Sequence, residues 1–329
     1  MSSLWVVGGI LRPKTFYETE SHTYKSAAVL RVHDDGRIEK AFEYVTPPEN
    51  RPKKLGILFK AATFLKDRVY LCTQTEILVC RLPDFKIQQV ISLPCFNDVH
   101  HVTVGPNGNL FVAVTGLDAV AEISPEGELI QLTNVLGEDV WERFSKDVDY
   151  RLVECTKPHL SHPNYVFFKN EELWVTRFHQ RDAVALHRPH DASISLTDVP
   201  VHDGLVHENK VHFTSVDGRI IEHSIDSNTT EVFDLRRFNP DPTRELGWCR
   251  GIRPNNDGTT WVGFSRLRES KIRSNLSWVK NGFSDTSQYP SRISRYSADK
   301  SAHLEDIVLE ESGLGVVFSI HPVDTTLKA

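Results

Sequence analysis

Short apolar runs alternate with polar turns along this chain, in a unit that repeats. The clearest copy lies mid-chain: His100-His-Val-Thr-Val104, a Gly-Pro-Asn-Gly-Asn turn, Leu110-Phe-Val-Ala-Val114, a short break, Val120-Ala-Glu-Ile-Ser124, the turn Pro125-Glu-Gly127, and Glu128-Leu-Ile-Gln-Leu132. Runs of about five residues, alternating or wholly apolar and bounded by Gly, Pro, Asn or Asp, predict strands joined by tight turns. Four such antiparallel strands form one blade of a β-propeller.

The unit recurs from Lys60, from His162, from His202 and from Arg250, each leading through a polar turn to an apolar run: Val69-Tyr-Leu-Cys72, Leu173-Trp-Val-Thr176, Val211-His-Phe-Thr214 and Thr260-Trp-Val-Gly-Phe264. That makes five blades. Leu4-Trp-Val-Val7, Ala28-Val-Leu-Arg-Val32 and Ile38-Glu-Lys-Ala-Phe42 supply three strands of a sixth, and Gly315-Val-Val-Phe-Ser-Ile320 at the far end supplies the missing innermost one. Closing the ring this way removes the open edges of a linear array. The expectation is an all-β, six-bladed propeller spanning residues 1–329 as one domain. A pair of unclosed β-sandwiches would not explain why the repeats share the register of their first strands.

The segment Gly105-Pro-Asn-Gly-Asn-Leu-Phe-Val112 resembles blade motifs of the six-bladed propellers that include the senescence-marker/gluconolactonase, strictosidine-synthase-like and NHL-repeat families. The resemblance covers nearly the whole chain and implies the fold; a shared fold does not carry function. For the lactonases it implies a calcium site built from Glu and Asn/Asp on inner strands. Here histidines stand where those oxygen ligands are expected.

Aligned on their first strands, successive blades begin with Lys60, His100, His162, His202 and Arg250. The first strand of a blade lines the channel, so His100, His162 and His202 are predicted to converge as ligands of a divalent metal, with zinc, iron(II) and manganese all compatible. A one-residue slip would put His101 in place of His100. Packing or backbone hydrogen bonding is the plainer reading of the same histidines in a chain that has 15 of them. Asp98 and Asp203 flank the ring as candidate bases or as partners that orient the imidazoles, and His179 lies in a loop that reaches the same face. His187, His190, His212 and His223 are expected at the surface.

Three long connections, 11–25, 136–161 and 265–291, are predicted to gather at the histidine end of the channel; connections this long in a compact domain commonly serve function. Within 136–161, Asp139-Val-Trp-Glu-Arg-Phe-Ser-Lys146 has the pattern of a short amphipathic helix. The last connection carries Arg266 and Arg268, which with Lys60 and Arg250 would favour an anionic ligand, a contrast sharpened by the net charge of −6. That charge argues against general nucleic-acid binding. Five scattered cysteines without a CxxC spacing fit reduced thiols, and the N-terminus reads as a strand and not a signal peptide. No run is long enough to cross a membrane as a helix. These features lead to the expectation of a cytoplasmic protein, with the oligomeric state left open.

The sequence holds no GxSxG, P-loop, GxGxxG after a strand or HExxH motif. The functional expectation is a metal-dependent enzyme acting on a small anionic molecule, with hydrolase or lyase chemistry ahead of oxygen activation by iron. A metal-free acid–base enzyme using the histidines, and a non-catalytic interaction scaffold, are the alternatives.

Overall fold

The computed structural model describes residues 3–12, 24–53, 55–190, 192–241, 243–266, 289–324 and 326. Six four-stranded antiparallel sheets form the blades. The first joins β24 (Leu314–Pro322) to β1 (Leu4–Leu11), β2 (Tyr24–Val32) and β3 (Ile38–Tyr44). The second runs through β4 (Ala62–Leu65), β5 (Arg68–Cys72), β6 (Ile77–Arg81) and β7 (Lys86–Ile91); the third through β8 (Val99–Val104), β9 (Leu110–Val114), β10 (Ala119–Ile123) and β11 (Leu129–Asn134). The fourth comprises β12 (Pro163–Lys169), β13 (Glu172–Arg177), β14 (Asp182–Ala185) and β15 (Ser193–Ser195); the fifth β16 (Val201–His207), β17 (Lys210–Ser215), β18 (Arg219–Ser224) and β19 (Thr230–Asp234); the sixth β20 (Trp248–Pro254), β21 (Thr260–Ser265), β22 (Arg292–Tyr296) and β23 (His303–Val308).

The innermost strands touch in a closed cycle, β4 to β8 to β12 to β16 to β20 to β24 and back to β4. Pairing of β24 with β1 shuts the ring. At Gly8 the two strands run so close that a side chain would strike the Val316 carbonyl oxygen, which explains the Gly8-Gly9 pair structurally.

Burial explains why so many strands are wholly apolar. Side chains alternate across a strand, and each blade is covered on both faces by its neighbours. Leu4 and Val6 pack with Trp261 and Ile293 of the sixth blade, while Trp5 and Val7 pack with Phe59, Val69 and Leu71 of the second. The same two-sided burial corrects the expectation for His212 and His223: both lie in inner positions of the fifth blade at 4% and 2% exposure, while His187 and His190 are exposed.

The expected amphipathic helix is only one 3₁₀ turn, Val140–Glu142, capped by the Asp139 side chain accepting from Trp141 N. Val140, Trp141 and Phe144 already gain burial against the third blade, and so short a helix gains little by extending. Among the described residues no helix is long and apolar enough to cross a membrane.

Candidate functional site

Near the beginning of three inner strands one residue is left out of the ladder: His100 in β8, Asn164 in β12 and Gly204 in β16. Counted from these bulges, His162 and His202 match Asp98, and His100 sits two residues further along. A shift of two keeps a side chain on the same face, so Lys60, Asp98, His100, His162, His202 and Arg250 all line one cavity of about 840 Å³ at this end of the channel. Phe318 of β24 occupies the sixth blade position, with the Arg250 guanidinium 4.2 Å and Lys60 Nζ 5.1 Å from its ring centroid. Val153 to His159, within the connection 136–161, form a wall of the same cavity. Most of the connections 11–25 and 265–291, Arg268 included, lie outside the described residues.

His162 is held by backbone it could not sustain alone. Its φ of 61° lies in the left-handed region, which is uncommon for residues other than glycine. The carboxylate of Asp118, 1% exposed, fixes it: Oδ1 accepts from Ser161 N at 2.9 Å and His162 N at 2.7 Å, and Oδ2 accepts from Leu160 N at 2.7 Å and Arg143 Nη1 at 2.8 Å. The turn presents His159 beside His162, with their Nδ1 atoms 2.9 Å apart.

A consistent proton arrangement follows from the partners behind them. Asn97 Nδ2 donates to the carbonyls of Tyr150 and Val153, so its oxygen is the acceptor for the Thr156 hydroxyl at 3.3 Å. Thr156 Oγ1 then accepts from His159 Nε2, 3.2 Å away, leaving His159 Nδ1 to accept from His162 Nδ1. His162 Nε2 is left carrying a lone pair. Burial, with His100 alongside, holds the His162 imidazole well below the ordinary histidine range, in its neutral form.

His100 lies with its ring centroid 5.0 Å from that of His162. Its Nδ1 donates to the Asp98 carbonyl at 2.7 Å, so Nε2 accepts from the Lys60 ammonium at 3.2 Å. Lys60 also donates to Asp98 Oδ1 at 3.0 Å. Burial and then the Lys60 charge take the His100 imidazole down to about 3. Burial pushes the Asp98 carboxyl up, but the Lys60 charge and hydrogen bond together with His100 and His162 outweigh it and hold Asp98 well below the ordinary carboxylate range. Asp98, His159 and His162 can bring one ligand atom each within 4.8 Å of one another.

His202 is arranged differently. Trp248 Nε1 donates to its Nε2 at 3.0 Å, and the Asn164 amide lies 3.0 Å from its Nδ1, so protein groups occupy both nitrogens. The Phe178 ring stands between it and His162, at 5.2 and 5.0 Å. Among the described residues, the cluster with ligand spacing is Asp98, His159 and His162 and not the trio of blade-leading histidines. His179 lines the cavity, its ring 5.8 Å from that of His162.

Three residues singled out from the sequence lie away from the cavity. Asp203 projects from the opposite face of its strand to His202, and its Oδ2 accepts from the Thr214 hydroxyl at 2.6 Å and Gly251 N at 3.0 Å. Arg266 makes a two-point ion pair with Glu310, at 3.1 and 3.0 Å. His101 stacks on Tyr165, with centroids 3.5 Å apart, and accepts from Val166 N. The residue that sequence reasoning passed over is His159; the signal was its three-residue spacing from His162 just ahead of an inner strand.

No protein-family model matches the chain, and no curated protein matches it. Among solved structures, the chain is similar to a protein of unknown function from Bacteroides caccae, with a TM-score of 0.59, 12% identity, and coverage of 98% of this chain and 99% of that one. It is also similar to a catalytically inactive histidine-to-alanine variant of virginiamycin B lyase from Staphylococcus aureus, with quinupristin, at a TM-score of 0.51 and 14% identity over 93% and 85% of the two chains. At these identities the likeness is one of fold.

Proposed function

We propose that this chain is an enzyme acting on a small anionic molecule in the cavity at the histidine end of its channel, with a divalent metal held by Asp98, His159 and His162. The observation that carries the reading is the meeting of those three side chains beside Lys60 and Arg250 in one cavity. Two imidazoles and a carboxylate are a donor set for zinc hydrolysis and for iron(II) alike, with positions open for water and substrate. The donors fit the ion once the His162 proton moves from Nδ1 to Nε2: Asp98 gives Oδ1 to Lys60 and keeps Oδ2, and the 2.9 Å between the two Nδ1 atoms is near the roughly 3.3 Å that two nitrogens on one tetrahedral zinc require. Such an ion, when bound, would polarise a substrate oxygen or make a water more acidic.

The chain's own residues supply the rest. Lys60, ion-paired with Asp98, and Arg250 would bind substrate charge; Phe178 and Phe318 would exclude water from one wall. His100 Nε2 would keep the Lys60 ammonium directed into the cavity. Lyase chemistry leads over hydrolysis because a fold neighbour is itself a lyase whose histidine variant is inactive.

Protein purified without a polyhistidine tag should retain about one zinc, iron or manganese ion per chain, and His159→Ala should lose it. A tag-free wild-type protein that neither retains nor takes up any of these ions would overturn the metal reading. The hydrogen-bonded line from His162 through His159 and Thr156 to Asn97 favours a second reading, in which the same histidines transfer protons without a metal. In that case Thr156→Val would impair activity while metal content stayed at zero in both proteins.

A further inference from the structure

The far ends of the inner strands gather a second cavity. Arg253 follows Arg250 by three residues on β20, and His321 follows Phe318 by three on β24, roughly 10 Å further down the channel. Both line a space of about 310 Å³ walled by Trp5, Phe64, Leu82 and Tyr165. That is the small end of the range for small-molecule sites.

Two polar groups here lack partners. The Arg253 Nε is buried without a hydrogen-bond partner, and among the described residues no carboxylate forms an ion pair with its guanidinium. His321 Nε2 is likewise buried and unpartnered, its ring 4.5 Å from that of Phe64. A guanidinium set against apolar walls with no carboxylate beside it is unfavourable unless something pairs with it. Lys66 and Asp324, which also line the cavity, carry opposite charges, so Arg253 is the unbalanced one.

We propose that this cavity is a ligand site, separate from the histidine cluster, that takes a small aromatic carboxylate. The guanidinium fork matches a carboxylate in two-point geometry. His321, kept neutral by burial at about 3, offers one further donor or acceptor. Trp5 and Phe64 accept the ring edge-on or stacked. A phosphate dianion would need more donors than one arginine supplies between apolar walls, which favours the carboxylate.

Benzoate is the probe, titrated calorimetrically into the full chain. Wild type should bind it at one site, benzamide should bind roughly tenfold or more weakly, and Arg253→Gln should weaken benzoate by a similar factor. Arg253→Lys, which keeps the charge and loses the fork, should fall between and serves if the glutamine variant misfolds. Arg250→Gln, at the other cavity, should leave benzoate affinity within about twofold. Binding that survives Arg253→Gln but is lost in Arg250→Gln would overturn the proposal, as would no binding by wild type at about 10 mM benzoate.

Discussion

Replacing Asp118 by alanine tests how the candidate site is held together. Its carboxylate accepts three backbone N–H bonds from 160–162 and one from Arg143 while almost wholly buried. Leu160 is exposed, so its amide would find water at little cost. Ser161 N and His162 N would each lose a charged acceptor, at about 1–3 kcal/mol apiece. The left-handed conformation of His162, costing about 1–2 kcal/mol, would lose the bonds that offset it. The expected loss is about 3–5 kcal/mol, the range for stripping one partner from a buried ion pair. With unfolding entropy near 2.1 cal/mol/K per residue over this length, about 4 kcal/mol lowers Tm by roughly 6 °C. Arg143→Ala leaves the three backbone bonds in place and should cost about 1 kcal/mol or less, its side chain being one-third exposed. Urea denaturation gives the stabilities, and hydrogen exchange at Ser161 and His162 shows whether the turn has loosened. An Asp118→Ala protein within about 1 kcal/mol of wild type, its two amides still protected, would refute the reasoning.

Two further outcomes follow from buried charge elsewhere in the ring. Burial pushes the Asp203 carboxyl up to about 6, with the Thr214 hydroxyl and the Gly251 amide offsetting it only in part. Since the folded value exceeds the unfolded one of about 3.9, ionisation costs stability: the native state loses about 2 kcal/mol as pH rises from 4 to 6. Asp203→Asn should flatten that part of the stability profile in urea melts at stepped pH, and an unchanged slope would count against this assignment. In the fifth blade, Glu222 accepts from Lys210 and is ion-paired with Lys300, at 2.6 Å each, with Lys300 and Glu222 both buried. Glu222→Gln should cost about 3 kcal/mol by stranding the Lys300 ammonium, and adding Lys300→Met should recover at least half of it; equal stability of the single and double variants would show that the stranded charge is not the cause.

The fold was legible because a propeller repeats its signal: each blade shows four short runs bounded by turn residues, and the leftover strand Gly315–Ile320 has only the N-terminal blade to pair with. Two-sided burial was harder to read, since a histidine in a strand covered on both faces has the same sequence context as one facing solvent; hence the misplacement of His212 and His223. The site was legible to the nearest strand. Lys60, His100, His162, His202 and Arg250 reach one cavity; counted from the bulges, His100 is two residues out of step with His162 and His202, an even offset that keeps it on the same face. What escaped was set by contacts between distant segments. Phe178 separates His202 from His162, Trp248 takes up a nitrogen of His202, and Asp118 folds the preceding turn so that His159 meets His162. Asp203 shows the limit at one residue's distance: next to a cavity histidine in sequence, it faces into the packing between blades.

Anomalous diffraction from crystals of the tag-free protein, recorded at the zinc, iron and manganese edges, addresses the metal cluster directly. The account predicts one peak about 2.0–2.2 Å from a carboxylate oxygen of Asp98 and one ring nitrogen each of His159 and His162. A peak coordinated by His202 in their place, or none at any edge after incubation with all three ions, would contradict it.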